Sequence, residues 1–155
     1  MSDTNPKIGF LIHDVARLLR KRFEQRARSL GLTRAQWQVL VHLAENQGIH
    51  QSGLADILEV EPITLLRMLA KLEARNLIER RRHATDRRIW LLYLREDAHA
   101  LLVLLRDFGA TTRGEALATV ADEDQQRLFD MLLIVKANLI KACSMPIVAR
   151  EAEVG

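Results

Sequence analysis

A mainly α-helical protein carrying one short, basic β hairpin is the fold class this sequence predicts, on three observations. Glycine (7) and proline (3) are scarce in 155 residues, too few for the turns of a β-sandwich or barrel. Hydrophobic residues make up 48% of the chain and recur mostly at helical spacing, which supplies a core and argues against disorder. Only between residues 77 and 94 does the apolar period fall from 3.6 to 2.

Each element follows from local chemistry. Ile8, Leu11, Val15, Leu18, Leu19 and Phe23 place an amphipathic helix over residues 7–29, stopped near Gly31. Thr33-Arg34-Ala35-Gln36 has the form of a capping box, in which hydroxyl and amide satisfy backbone amides of the first turn. It opens a second helix with Trp37, Leu40, Val41 and Ala44 on one face, ending near Gly48. A short third helix covers 51–58, with Leu54, Ala55 and Ile57 inward. The turn Glu59-Val60-Glu61 leads to Pro62, whose missing amide is no loss in a first helical turn. The fourth helix, 62–75, buries Leu65 or Leu66 together with Leu69 and Leu72, and stops at Asn76, which tolerates a left-handed cap. Strands at Leu77–Arg82 and Ile89–Leu94 flank a turn at residues 83–88. Ala98, Leu101, Leu102, Leu105 and Phe108 then mark a long helix to about residue 119. Asp122-Glu123-Asp124 suit the positive start of a last helix carrying Leu128, Met131, Leu132, Val135 and Leu139. Residues 144–155 read as a flexible tail, and the whole as one domain over 1–155.

The net charge of +3 conceals an uneven distribution. Residues 75–95 hold seven arginines (Arg75, Arg80, Arg81, Arg82, Arg87, Arg88 and Arg95) against Glu79 and Asp86. That segment is therefore more positive than the whole chain. Arginine outnumbers lysine 18 to 5, and its planar fork suits phosphate oxygens and guanine edges.

Several classes are excluded or disfavoured. No apolar run approaches the ~18 residues of a membrane span, and the nearest, Ala98 to Leu105, contains His99. The first residues are polar, without a signal-peptide apolar region, so a soluble, cytoplasmic protein with no membrane partner is expected. One cysteine, Cys143, rules out an intrachain disulfide and a CxxC knuckle, and it has no activating base nearby in sequence. The five histidines show no HxxH or HxxxH spacing, so no metal or other cofactor is expected. There is no glycine-rich phosphate loop, GxSxG elbow or coherent nucleophile–base pair, and no catalytic residue is assigned.

Two short helices joined by a three-residue turn, then a basic hairpin, describe a winged helix-turn-helix over residues 33–95 with a two-stranded β wing. Helices at 7–30 and 96–143 flank it. The second helix of the pair can enter the major groove, while hairpin arginines reach the backbone and minor groove. The alternative is a winged-helix protein-interaction module without specific DNA binding, and salt-dependent DNA affinity separates the two.

Over roughly residues 10–140 the chain resembles the MarR-type transcriptional regulators, and within them the SlyA-like branch. The motifs are Leu32-Thr33-x-x-x-Trp37, Gln51-x-x-Leu54-Ala55-x-x-Leu58, Thr64-x-x-Arg67-x-Leu69-x-x-Leu72-Glu73, Leu77-Ile78-x-Arg80 and Asp86-Arg87-Arg88. The sequence departs from the family pattern at Pro62-Ile63, where proline usually comes one position later, and at Asn76, Arg95 and Ala98. The resemblance implies a homodimer, with the first, fifth and last helices of both subunits as dimerisation helices. Its target is a pseudo-palindromic double-stranded DNA operator, with recognition helices ~34 Å apart. Most such proteins are repressors.

Carried onto this chain, the resemblance makes Arg67 the partner of a guanine and Thr64 a phosphate or base-edge contact, with Pro62, Ile63 and Lys71 on the same helix. In the wing, Asp86 braces an arginine while Arg87 or Arg88 enters the minor groove. Arg80, Arg81 and Arg82 read as phosphate-seeking. Release by a small aromatic carboxylate or phenolic effector is also implied, for which His13, Arg17 and Trp37 are the candidates; His13 is chosen only for lying one turn before Arg17.

Overall fold

A computed structural model describes residues 5–147. The chain runs through α1 (Ile8–Ala27), a 3-10 turn (Arg28–Leu30), α2 (Arg34–Glu45), β1 (Ile49–His50), α3 (Gln51–Leu58), α4 (Pro62–Ala74), β2 (Ile78–Arg82), β3 (Trp90–Leu94), α5 (Glu96–Leu117) and α6 (Asp122–Cys143). Two compact units divide between Ala116 and Leu117. No residue of α6, in the second unit, is buried. Of the tail expected at 144–155, residues 148–155 lie outside the described residues. No helix of the described residues is long and apolar enough to cross a membrane.

Local signals set the ends of the helices. Thr33 Oγ1 accepts from the Gln36 amide at 3.3 Å while Gln36 Oε1 accepts from the Thr33 amide at 3.0 Å, so the capping box is formed. Pro62 occupies the start of α4. Both α3 and α4 end in a left-handed residue that is not glycine, Glu59 (φ 53°) and Asn76 (φ 59°). In each case the next amide reaches back to satisfy an orphan carbonyl, Val60 to Ala55 at 3.1 Å and Leu77 to Leu72 at 3.0 Å. The turn at 59–61 is therefore held by backbone bonds and fixes how α4 leaves α3.

The two-stranded wing is present as β2 paired with β3, and a short third strand that the sequence did not announce joins its edge, giving an antiparallel sheet in the order β1-β3-β2. Arg80 lies opposite Leu92, Arg81 opposite Leu91 and Arg82 opposite Trp90, while Ile49 and His50 pair with Leu92 and Leu91. Gly48, at φ 81°, turns the chain into β1 and donates its amide to the Leu92 carbonyl at 2.8 Å; a Cβ there would meet the Tyr93 hydroxyl at 3.2 Å. β1 ties the start of α3 to the wing.

The core of the first unit joins Leu40 and Leu43 of α2, Leu54 of α3, Leu65, Leu69 and Leu72 of α4, Ile78 and Leu92 of the sheet, and Leu102 and Leu105 of α5. Each buried leucine contributes about 1.5–3 kcal/mol by removal from water. The choice left open on α4 resolves to Leu65, since Leu66 is exposed. Ile57, expected inward, is exposed, because Leu54 and Ala55 already fill the inner face of α3. On α2 the most buried positions include Val39 and Leu43, outside the face picked from sequence, because the helix is covered on more than one side.

Candidate nucleic-acid interface

The exposed side of α4 carries Pro62, Ile63, Thr64, Arg67 and Lys71, opposite the buried stripe of Leu65, Leu69 and Leu72. One helix thus separates the residues that anchor it from those it offers. Among the described residues the side chains of Thr64, Arg67 and Lys71 make no hydrogen bond or ion pair, so their donors are free for a ligand.

The wing is more engaged than its charge implies. Arg80 donates through Nε (2.9 Å) to Glu73 Oε2, with Nη2 2.7 Å from the same oxygen. Arg81 pairs with Glu79 and lies 4.2 Å from the Tyr93 ring centre. Arg82 donates to the Arg87 carbonyl and sits 4.5 Å from the centre of Trp90, a ring that Arg80 also faces at 5.5 Å. Arg75 donates to the carbonyls of Gly31 and Leu30, at 2.9 and 3.2 Å, and so caps the 3-10 turn after α1.

Between the strands, the turn is built around Asp86. Its carboxylate accepts from the Arg88 amide at 3.0 Å, from Nε at 3.1 Å and from Nη2 at 3.2 Å. These bonds hold Asp86 below the usual carboxylate range, the Arg88 side chain first and its backbone second. His83 Nδ1 accepts from the amides of Thr85 and Asp86, both at 3.3 Å. The Arg88 side chain remains 91% exposed although Asp86 orients it. The Arg87 guanidinium has no partner among the described residues. A cavity of about 310 Å³ lies under this turn, lined by His50, Gln51, Ser52, Pro62, Arg88, Ile89 and Trp90. Sequence reasoning missed His50, Gln51 and Ser52, because only the pairing of β1 with β3 brings them to the wing.

The MarR family model matches residues 32–90, which span α2 through the first residue of β3. The uncharacterized HTH-type transcriptional regulator YybA of Bacillus subtilis (strain 168) is 30% identical over 139 residues, 90% of each chain. The chain belongs to the MarR family. This is a family of transcriptional regulators, not of enzymes. Among solved structures, the transcriptional regulator PA3341 is 33% identical with a TM-score of 0.73, covering 86% of this chain and 98% of that one. A mutant MarR from E.coli, complexed with operator DNA, shares the fold at 24% identity and a TM-score of 0.71, covering 84% and 94%.

The three effector candidates of this MarR-family chain do not converge. Trp37 lines a cavity of about 280 Å³ with Phe23, Val41, Leu102, Arg106 and Arg113, among others, and its ring centre is 4.6 Å from that of Phe23. The Trp37 indole N–H is buried without a hydrogen-bond partner among the described residues. His13 and Arg17 do not line this cavity. They precede Phe23 on α1 by ten and six residues, which at 1.5 Å per residue is about 15 and 9 Å along the helix. Both are exposed, and Arg17 lies 3.4 Å from Asp14. The cations that line this cavity with Trp37 are instead Arg106 and Arg113 of α5.

Proposed function

We propose that this chain is a homodimeric, sequence-specific repressor that binds a pseudo-palindromic operator through α4 and the wing. The observation that carries the reading is the unpartnered pair Thr64 and Arg67 on the exposed side of an otherwise anchored helix. Arg67 reads a guanine in the major groove, Thr64 and Lys71 hold the flanking backbone, and Pro62 and Ile63 set the approach of the helix end. In the wing, Asp86 preorganises Arg88, so Arg88 enters the minor groove at lower entropic cost while Arg87 meets phosphate.

Dimerisation rests on apolar surface the two units leave uncovered. On α1, Ile8, Leu11, Val15 and Leu18 are exposed; on α6, Leu128, Met131, Leu132, Val135 and Leu139 are exposed. Helical stripes of this kind are normally buried against another helix. A second copy supplies that cover and sets the spacing of two recognition helices. An aromatic carboxylate in the Trp37 cavity, its carboxylate on Arg106 or Arg113, releases the operator by changing that spacing.

Selection from random duplex DNA, followed by a salt titration on the enriched sequence, tests the reading. The expected result is a palindrome whose affinity falls steeply as salt rises. Weak binding without enrichment overturns it in favour of a protein-interaction module. Sedimentation of the free protein as a monomer at micromolar concentration overturns the dimer.

A further inference from the structure

We infer that Arg80 is a positioning residue, not a phosphate contact: through Glu73 it locks the wing to the recognition helix. The inference rests on the reading of α4 and the wing as the DNA-binding face. Glu73 lies in the last turn of α4, where the helix dipole disfavours a carboxylate. A cation opposite it offsets that cost, and Arg80 of β2 supplies one. Nε and Nη2 of Arg80 lie 2.9 and 2.7 Å from one oxygen of Glu73. The pair is only 25% and 29% exposed, so solvent and salt screen it less than the other arginine pairs of the wing.

The same guanidinium lies 5.5 Å from the centre of the Trp90 ring, over which Arg82 also sits. Arg80 and Arg82 lie two residues apart on one face of β2, with Trp90 opposite Arg82 on β3. A continuous chain of contacts thus runs from the end of α4 to the base of the turn that holds Asp86, Arg87 and Arg88. The connection between α4 and β2 pivots at Asn76, and Glu73–Arg80 spans that pivot from one side to the other. Without the pair, backbone bonds at the pivot and sheet pairing keep the wing folded, but its angle to α4 is no longer set by a polar contact. Major-groove and minor-groove elements then engage DNA less well together.

Glu73→Gln distinguishes the two roles of Arg80. Freeing Arg80 from its carboxylate, and removing a negative charge beside DNA, tightens binding if Arg80 serves as a phosphate contact. As a positioning residue, its release weakens operator binding on the order of tenfold. The measurements are operator affinity against salt for the wild-type dimer, Glu73→Gln, Arg80→Ala and the exchanged pair Glu73→Arg with Arg80→Glu. Hydrogen exchange of residues 78–94 is followed without DNA. Expected are weaker operator binding in both single variants, an unchanged salt slope in Arg80→Ala, faster exchange in the wing, and recovery of both readouts in the exchanged pair. A slope shallower by about one in Arg80→Ala, or unchanged or tighter operator binding in Glu73→Gln, overturns the inference. Failure of the wild type to select any operator refutes the proposed function instead, and the exchange data still decide whether the pair fixes the wing.

Discussion

Arg22, Arg26, Arg75 and Arg80 each commit their guanidinium to an oxygen of another element, whereas Arg67 and Arg87 present theirs to solvent. Arg22 and Arg26 reach from α1 to Glu115 of α5, Arg75 reaches from the end of α4 to the 3-10 turn, and Arg80 reaches from β2 to α4. All carry the same charge, and composition alone cannot separate them. The bound group joins helices and strands into a frame; the free group is what the frame holds out. Arg88 belongs to both, tied to Asp86 within its own turn and still almost wholly exposed.

The comparison predicts its largest effect at Arg67. Arg67→Ala should cost about 1–3 kcal/mol of operator binding and relax preference at one base pair in each half-site. Thermal stability should be unchanged, since the exposed side chain makes no hydrogen bond or ion pair among the described residues. Competition binding against single-base operator variants checks this. Retained base preference would place Arg67 outside the reading set.

Arg88→Ala and Arg87→Ala sharpen the comparison within the wing. Each removes one cation, so each should make the salt slope shallower by about one. Only Arg88→Ala should also erase preference for the narrow, A·T-rich minor groove. Asp86→Asn should act like a weaker Arg88→Ala, because it removes the brace and leaves the cation. Equal losses of preference in the two arginine variants would show that Asp86 confers no advantage on its partner.

Arg81 offers a smaller effect. It is exposed, pairs among the described residues only with Glu79 of its own strand and lies over Tyr93, so it remains available to phosphate. Arg81→Ala should weaken binding to all duplexes alike and reduce the salt slope by about one. Between 50 and 200 mM salt that is roughly a threefold change in relative affinity. A sequence-dependent loss would instead place Arg81 with Arg80 as part of the frame.

The legible features of this sequence are those whose partners lie within a few residues. Thr33 with Gln36, Pro62, Asn76 and the acidic start of α6 are decided inside one turn of chain, and the structure shows each in its expected place. β1 is two residues long and exists only through Leu91 and Leu92, more than forty residues away, so no local pattern announces it. The excess of arginine at 75–95 is equally plain in sequence, yet its division into bound and free groups depends on Glu73, Gly31 and Trp90 being brought alongside by the fold. His13 and Arg17 fail to join Trp37 for a related reason. Spacing along one helix says which residues share its side, not how far the neighbouring helices extend to meet them.

The smallest predicted effect lies in the bound group, where pH can undo it. Arg22 donates to Glu115 at 2.8 and 3.0 Å, and Arg26 adds a bond to the same carboxylate and one to Thr112 Oγ1 at 2.9 Å. Hydrogen bonds from Arg22 first and Arg26 second hold Glu115 at about 2, below its ordinary 4.5. A carboxyl whose pKa is lower in the folded state stabilises the fold above its unfolded value and loses that contribution as pH falls through the folded one. The α1–α5 tie should therefore be intact above pH 4.5 and weaken progressively toward pH 2. Melting temperatures of wild type and Glu115→Gln should differ by a small, constant amount above pH 4.5 and converge as pH approaches 2, the difference staying small because the carboxylate is open to solvent. A gap that persists at pH 2 would mean that Glu115 acts by packing and not by charge, leaving Arg26 tied to α5 through Thr112 alone.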